Sequence, residues 1–278
     1  MKNILKIMLM MITIYTITGS AVYAAEIPVS DQDQLITSRD WTEISNLQDE
    51  MKKEEPDATI DYDKALKVYV DCNLIKLQTA DTKKLTSALE SANYVWVIPF
   101  KMEKTYGMFT VAKGLPLSEE AKSVLTKAEQ EEVKNHAGKW MITETAEHTV
   151  EPYYDILLEK REALSDCTRV VLVGSQPGMR QPVALGMDDE TARIWISLGY
   201  QYPVMEKIPE TQNVESGVYS FDSVAEISDT YIEDSEVSTG AGVQSRSSMK
   251  YVAGIGIVLI GSILILSVLK KKKLEDYE

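Results

Sequence analysis

The sequence predicts an α+β fold, mostly antiparallel sheet with flanking helices. Three observations predict it. Strand patterns of period two alternate with helical patterns through the middle of the chain. Most neighbouring strand patterns are joined by segments of hairpin length, which favours antiparallel pairing. Roughly two hundred residues lie between two apolar ends, enough to bury a core without disulfide or metal staples.

The first stretch, MKNILKIMLMMITIYTITGSAVYAAEIP, has the three parts of a secretory signal. Lys2 and Lys6 supply positive charge, Ile7 to Ile17 is mostly apolar, and Gly19 interrupts the run. Val22 and Ala24 occupy the minus-three and minus-one positions of a cleavage site. Residues 1–24 are therefore read as a signal peptide, with Ala25 as the alternative last residue. No Cys follows the apolar run, so no lipid-modified N-terminus is expected. Residues 25–36 are polar and read as a flexible N-terminus.

Residues 37–211 read as the extracytoplasmic domain. Asp40 with Glu43 three residues on marks a helix start, and Trp41, Ile44, Leu47 and Met51 share one face until Pro56. Leu66, Val68 and Val70 alternate with Lys67 and Tyr69, a strand. Asp81 starts a second helix with Leu85, Ala88 and Leu89 inward. Tyr94 to Phe100 and Tyr106 to Lys113 form a hairpin pattern. Ser118 opens a helical stretch, and Thr126 with Glu129 makes a capping box for another that ends near Gly138. Trp140 to Val150 reads as a long strand and Tyr153 to Leu164 as a helix. Arg169 to Val173, Pro182 to Met187 and Thr191 to Leu198 are strands, the last two joined by Asp188-Asp189-Glu190. The order strand, helix, strand, strand occurs from Ala65 to Lys113 and again from Trp140 to Met187, a loose βαββ duplication in pattern only.

Residues 212–249 are rich in Ser, Thr, Gly and acids and read as an acidic disordered stalk. Residues 250–269 read as a transmembrane helix. Tyr251 to Leu269 carries neither charge nor Pro, and at 1.5 Å per residue it spans about 28 Å, near the thickness of a hydrocarbon core. Residues 270–278 form a basic tail in which Lys270, Lys271, Lys272 and Lys273 follow the helix at once. Those lysines place the tail in the cytoplasm and can hold anionic headgroups at about 1 kcal/mol each. An apolar helix followed by lysines resembles the tail of Gram-positive wall-anchored proteins. Their LPxTG motif is missing upstream, so retention in the membrane is expected. The lipid bilayer is thus the first partner expected.

The formal net charge of −14 is concentrated between the ends, because leader and tail carry lysine clusters. Such a surface repels nucleic acid and anionic headgroups and keeps a domain soluble. No nucleic-acid partner is expected.

Cys72 and Cys167 could pair outside the cytoplasm. A bridge would close a loop of nearly a hundred residues, worth about 4 kcal/mol in the loop-entropy model. The alternative is two buried thiols acting as small hydrophobes. Leu164-Ser165-Asp166-Cys167-Thr168-Arg169 lacks the Thr-Leu-x-Thr-Cys pattern of sortases, so a nucleophilic role for Cys167 is not expected. His136 and His148 fit no zinc pattern. Gly174-Ser175-Gln176-Pro177-Gly178 departs from Gly-x-Ser-x-Gly and reads as a turn. Asp188-Asp189-Glu190 lacks calcium-loop spacing. Glu119-Glu120 and Glu131-Glu132 read as solvated helix faces. Trp96, Trp140 and Trp195 fall on strands, as core or as a stacking platform for sugars, with core the default.

Neither a catalytic residue nor a cofactor or metal is assigned. The functional expectation is a membrane-anchored surface domain that binds, scaffolds or assists an envelope polymer or another membrane protein. The alternative is an envelope hydrolase using paired carboxylates. Oligomeric state is not encoded in any motif.

Overall fold

Ten strands share one sheet in the computed structural model. It describes residues 27–148, 151–174, 176, 179, 181–200, 202–210 and 213–228. In chain order the strands are β1 (Thr59–Ile60), β2 (Leu66–Val70), β3 (Asn93–Lys101), β4 (Tyr106–Lys113), β5 (Trp140–His148), β6 (Arg169–Val173), β7 (Val183–Met187), β8 (Ala192–Ser197), β9 (Asn213–Glu215) and β10 (Val218–Ser220). Their spatial order is β5-β4-β3-β2-β6-β7-β8-β10-β9, with β1 beside the far end of β3. The sheet is therefore two antiparallel halves, a meander of β2 to β5 and a meander of β6 to β8 that the β9–β10 hairpin extends through β10. They meet along one parallel pair, β2 and β6, which exchange only the registers Val68↔Leu172 and Tyr69↔Val173.

The helices that flank it include α1 (Trp41–Ile44), α2 (Gln48–Glu54), α3 (Thr82–Ser91), α4 (Glu119–Val124), α5 (Lys127–His136) and α6 (Tyr153–Glu159). Several starts follow the sequence signals. The Asp81 carboxylate accepts from the Lys84 amide at 3.0 Å, and the Ser118 hydroxyl accepts from Ala121 at 3.1 Å. Thr126 and Glu129 form the complete capping box. Each satisfies a helix N–H that would otherwise lack a partner.

Alternation sorts the core into faces. Leu66, Val68, Val97, Leu172, Ala184 and Ile196 pack on one face with Leu157 of α6. The opposite face carries two clusters. Leu85 and Leu89 of α3 cover Val171, Leu185 and Trp195 in the first. Ile44 and Met51 cover Trp96, Ile98, Phe100 and Phe109 in the second. Trp96 and Trp195 are fully buried and Trp140 nearly so, so all three are core rather than a sugar platform.

Several expectations are corrected here. Residues 27–36 do not form a flexible lead-in. Val29 bridges to Val170 of β6 and Gln34 to Leu66 of β2, and Leu35 is fully buried. This strap fills the gap left where β2 and β6 diverge. The boundary at 212 also moves. Val218–Ser220 pairs with β8, residues 221–228 are helical, and Phe221 and Val224 are buried beside Trp195. Their apolar contacts outweigh a composition that reads as linker. The helix expected from Trp41 to Met51 is split by a 3-10 turn at Ser45–Leu47. The duplication is not drawn where the pattern placed it. Trp140–His148 pairs with β4 and completes the first meander, and the strand that matches β2 is β6.

No helix among the described residues is long and apolar enough to cross a membrane. The segments read as a signal peptide (1–24), as the rest of a stalk and as a transmembrane helix (250–269), together with Lys270 to Lys273, lie outside the described residues.

Candidate functional site

Where the strap crosses the seam between the two halves of the sheet, its Asp33 and the nearby Asp40, just before α1, lie over a row of cations and aromatic rings. Lys67 and Tyr69 of β2, Tyr94 and Trp96 of β3 and Arg169 of β6 share that face, because Lys67 pairs with Trp96 and Tyr69 with Tyr94. Asp33 is the centre. Its Oδ1 accepts from the Tyr69 hydroxyl at 2.7 Å. Its Oδ2 accepts from Ser30 at 2.6 Å and from Arg169 Nη2 at 3.0 Å. Lys67 Nζ lies 3.7 Å from Oδ1. Asp33 is 2% exposed and Lys67 9%. Opposite charges and the three hydrogen bonds to Asp33 make that burial tolerable.

Lys67 also sits among three rings, its Nζ 4.6 Å from the centre of Tyr94, 5.2 Å from Trp96 and 5.7 Å from Tyr69. Negative ring faces stabilise a cation there. Burial lowers the Lys67 pKa from the ordinary lysine value, and Asp33 and Asp40 oppose that shift. Burial, followed by Asp33, raises the Tyr69 pKa.

Asp40 was expected to cap α1. It makes no side-chain cap. Its Oδ2 instead accepts from the Tyr94 hydroxyl at 2.9 Å and from Trp96 Nε1 at 3.0 Å. A buried indole N–H needs an acceptor more than an exposed helix start needs a cap.

Cys72 and Cys167 are both free, so the disulfide weighed above is not formed. Cys72 belongs to the core under α3 and Cys167 to the core on the opposite face, and the sheet stands between them. Burial pushes each thiol up to about 11, which suppresses the nucleophilic thiolate.

Asp188 Oδ1 accepts from the amides of Glu190 and Thr191 and so makes the hairpin turn. Of the Gly174 to Gly178 run, Gln176 is buried and anchors a neighbouring loop. Its side chain donates to Cys72 O and accepts from the Leu74 amide. His136 is exposed at the end of α5, and the side chain of His148 is outside the described set. No group of three or more His, Cys, Asp or Glu among the described residues could hold a metal.

Two surface clefts lie among the described residues. One of about 290 Å³ is lined by Asp71 to Leu74, Leu77 and the end of α3. Asp71 adopts a left-handed φ of 55° there, and its carboxylate holds the Asn93 amide at 3.0 Å. The other, about 260 Å³, lies between Ile75, Gln78 to Ala80 and the helix at 221–228, and includes Asp222 and Glu226.

The excursion between β4 and β5 differs from the rest of the fold. Across residues 115–138 Ala121 is the buried residue among the described side chains, and α5 buries none. Leu115 is 46% exposed and Val124 66%. Gln130 Nε2 ties the two helices together by donating to Lys122 O and Leu125 O. At the base Gly114 and Gly138 are joined, Gly138 N donating to Gly114 O at 2.8 Å and Gly114 N to Lys139 O at 2.9 Å. Beside this arm runs β5, which pairs with β4 alone.

Comparison with family models, characterised proteins and solved structures finds no match to this chain.

Sequence reasoning missed Asp33, Asp40, Lys67 and Arg169. The available signal was aromatic. Tyr69 shares a face with Lys67, opposite Leu66 and Val68, and an aromatic ring on that face marks it as covered.

Proposed function

We propose that this chain is a membrane-anchored extracytoplasmic domain that holds a protein partner of the cell envelope through the α4–α5 arm. The observation that carries this reading is the arm itself. Ordering more than twenty residues costs on the order of 1 kcal/mol or more per residue, and the arm returns almost no buried surface to its own core. Helices this short draw their stability from packing, and a surface supplied by another molecule provides it. Leu115 and Val124 are the apolar contacts offered. The apolar segment at 251–269 and its following lysines support the membrane placement.

The test is photo-crosslinking on intact cells of the source organism. A photoreactive residue at Val124 should give a discrete adduct, and one at the exposed Lys83 on α3, the helix that covers β6 to β8, should not. Equal labelling from both positions, or from neither, would refute the arm as a binding element.

A further inference from the structure

We propose that Lys67 and Asp33 condense to an amide, so that the N-terminal strap is covalently fastened to β2. The two reacting groups are buried and held together by elements on either side of them. Lys67 Nζ is 3.7 Å from Asp33 Oδ1 in the unlinked pair. The strap cannot drift, because Val29 and Gln34 are bridged to β6 and β2. The amine cannot drift, because three rings enclose it. Holding both groups in place removes much of the entropic cost of bringing them together.

The chemistry balances within the pair. The Lys67 ammonium passes a proton to Asp33 Oδ1, which leaves a neutral amine and a neutral acid. Burial of the amine eases its loss of that proton. The lowered Lys67 pKa has the same cause. Nζ then attacks Cγ, and the Nζ–Cγ bond forms. Negative charge develops on Oδ2, where Arg169 Nη2 and the Ser30 hydroxyl already donate. Donors placed ahead of the charge are the usual means of stabilising such an intermediate. Arg169 Nε is a further buried donor without a hydrogen-bond partner among the described residues. The amine gives a second proton to Oδ1, the Cγ–Oδ1 bond breaks and water leaves. Ammonium and carboxylate thus become amide and water, with no oxidant, reductant or co-reactant.

The link would lie at the weakest joint of the sheet, the short ladder between the meanders. It would do there what a disulfide does elsewhere, in a chain whose two thiols are far from pairing.

The test is peptide mapping of the full-length protein after reduction and denaturation. Trypsin should yield a branched peptide joining the segment that ends at Arg39 to Ala65–Lys76, uncut at Lys67 and lighter by one water than the two separate peptides. In Lys67→Arg the branched species should vanish and the Asp33 peptide should return to its linear mass. Cleavage after Lys67 with two linear peptides in the wild type would overturn the proposal. So would a loss of water that persists in Lys67→Arg. The wild-type map decides the matter even if the variant fails to fold.

Discussion

Lys67 occupies a strand position that faces away from Leu66, Val68 and Val70, and an open sheet would place it in water. Here the strap closes over it, and its charge is met by Asp33 and three ring faces. Removing one partner of such a group leaves the other charge stranded. For the unlinked pair, Asp33→Ala is expected to cost about 3–5 kcal/mol, because Lys67 and Arg169 lose their common carboxylate. Urea titration would measure it. Replacing Lys67 with Met in the same chain should recover part of that loss, since the stranded cation is then gone. Asp40→Ala should cost less, about 1–3 kcal/mol, by leaving the Trp96 indole and Tyr94 hydroxyl without their acceptor. The cysteines make a separate prediction. Neither should react with a thiol reagent in the native state at neutral pH, and both should react in denaturant without reductant. Absence of reactive thiols in denaturant would reveal an oxidised pair.

The strands and helices differ in how much the fold needs them. In the β3–β4 hairpin Gly107 lies opposite Phe100, and a Cβ at that position would fall 2.1 Å from the ring, which itself packs on Phe109. Gly107→Ala should therefore destabilise by about 1–3 kcal/mol, seen as a lower thermal midpoint. The arm predicts the reverse. Replacing residues 115–137 with a two-residue turn between Gly114 and Gly138 should leave the midpoint nearly unchanged, because the base is closed by its own backbone bonds. A large loss would show that α4 and α5 belong to the core. The open edge at β5 carries its own protection. A bulge at Thr143 and the exposed Glu144 and Glu147 discourage another strand from adding there.

At the scale of the whole molecule, two meanders are held by a two-register ladder, a strap and the cores on both faces. Many buried hydroxyls are spread through those cores. Burial raises the pKa of Tyr69, Tyr153 and Tyr202 above the ordinary phenol value. The unfolded chain releases those protons first, near pH 10, while the native chain keeps them. Their stabilising contribution is complete below that value and is lost as pH rises through and beyond it. In the unlinked chain Lys67 acts with the opposite sign, since its lowered pKa favours the native state as pH approaches the ordinary lysine value, and the amide to Asp33 removes that contribution. The tyrosines outnumber it, so stability should fall between about pH 9 and pH 11. Denaturant midpoints across that range would show the slope, and Tyr153→Phe should flatten it.

Most elements were legible in the sequence. Arg169–Val173 and Tyr106–Lys113 stand where alternation placed them, and Asp81, Ser118 and Thr126 cap the helices they announce. These are local signals. A period, a cap and a turn each act within a few residues, so the chain states them directly. Tertiary contacts alone decided the rest. Asp33, Asp40, Lys67 and Arg169 come from four separate stretches and meet only because β2 and β6 become neighbours under the strap. The polar segments at 27–36 and 213–228 read as loose because their composition is poor in apolar residues. They are ordered because a few of those residues, Leu35, Phe221 and Val224 among them, reach cores built by distant strands. The sequence by itself determined where strands and helices form. Which strands became neighbours, and therefore which charges were buried together, depended on long-range pairing that no local pattern encodes.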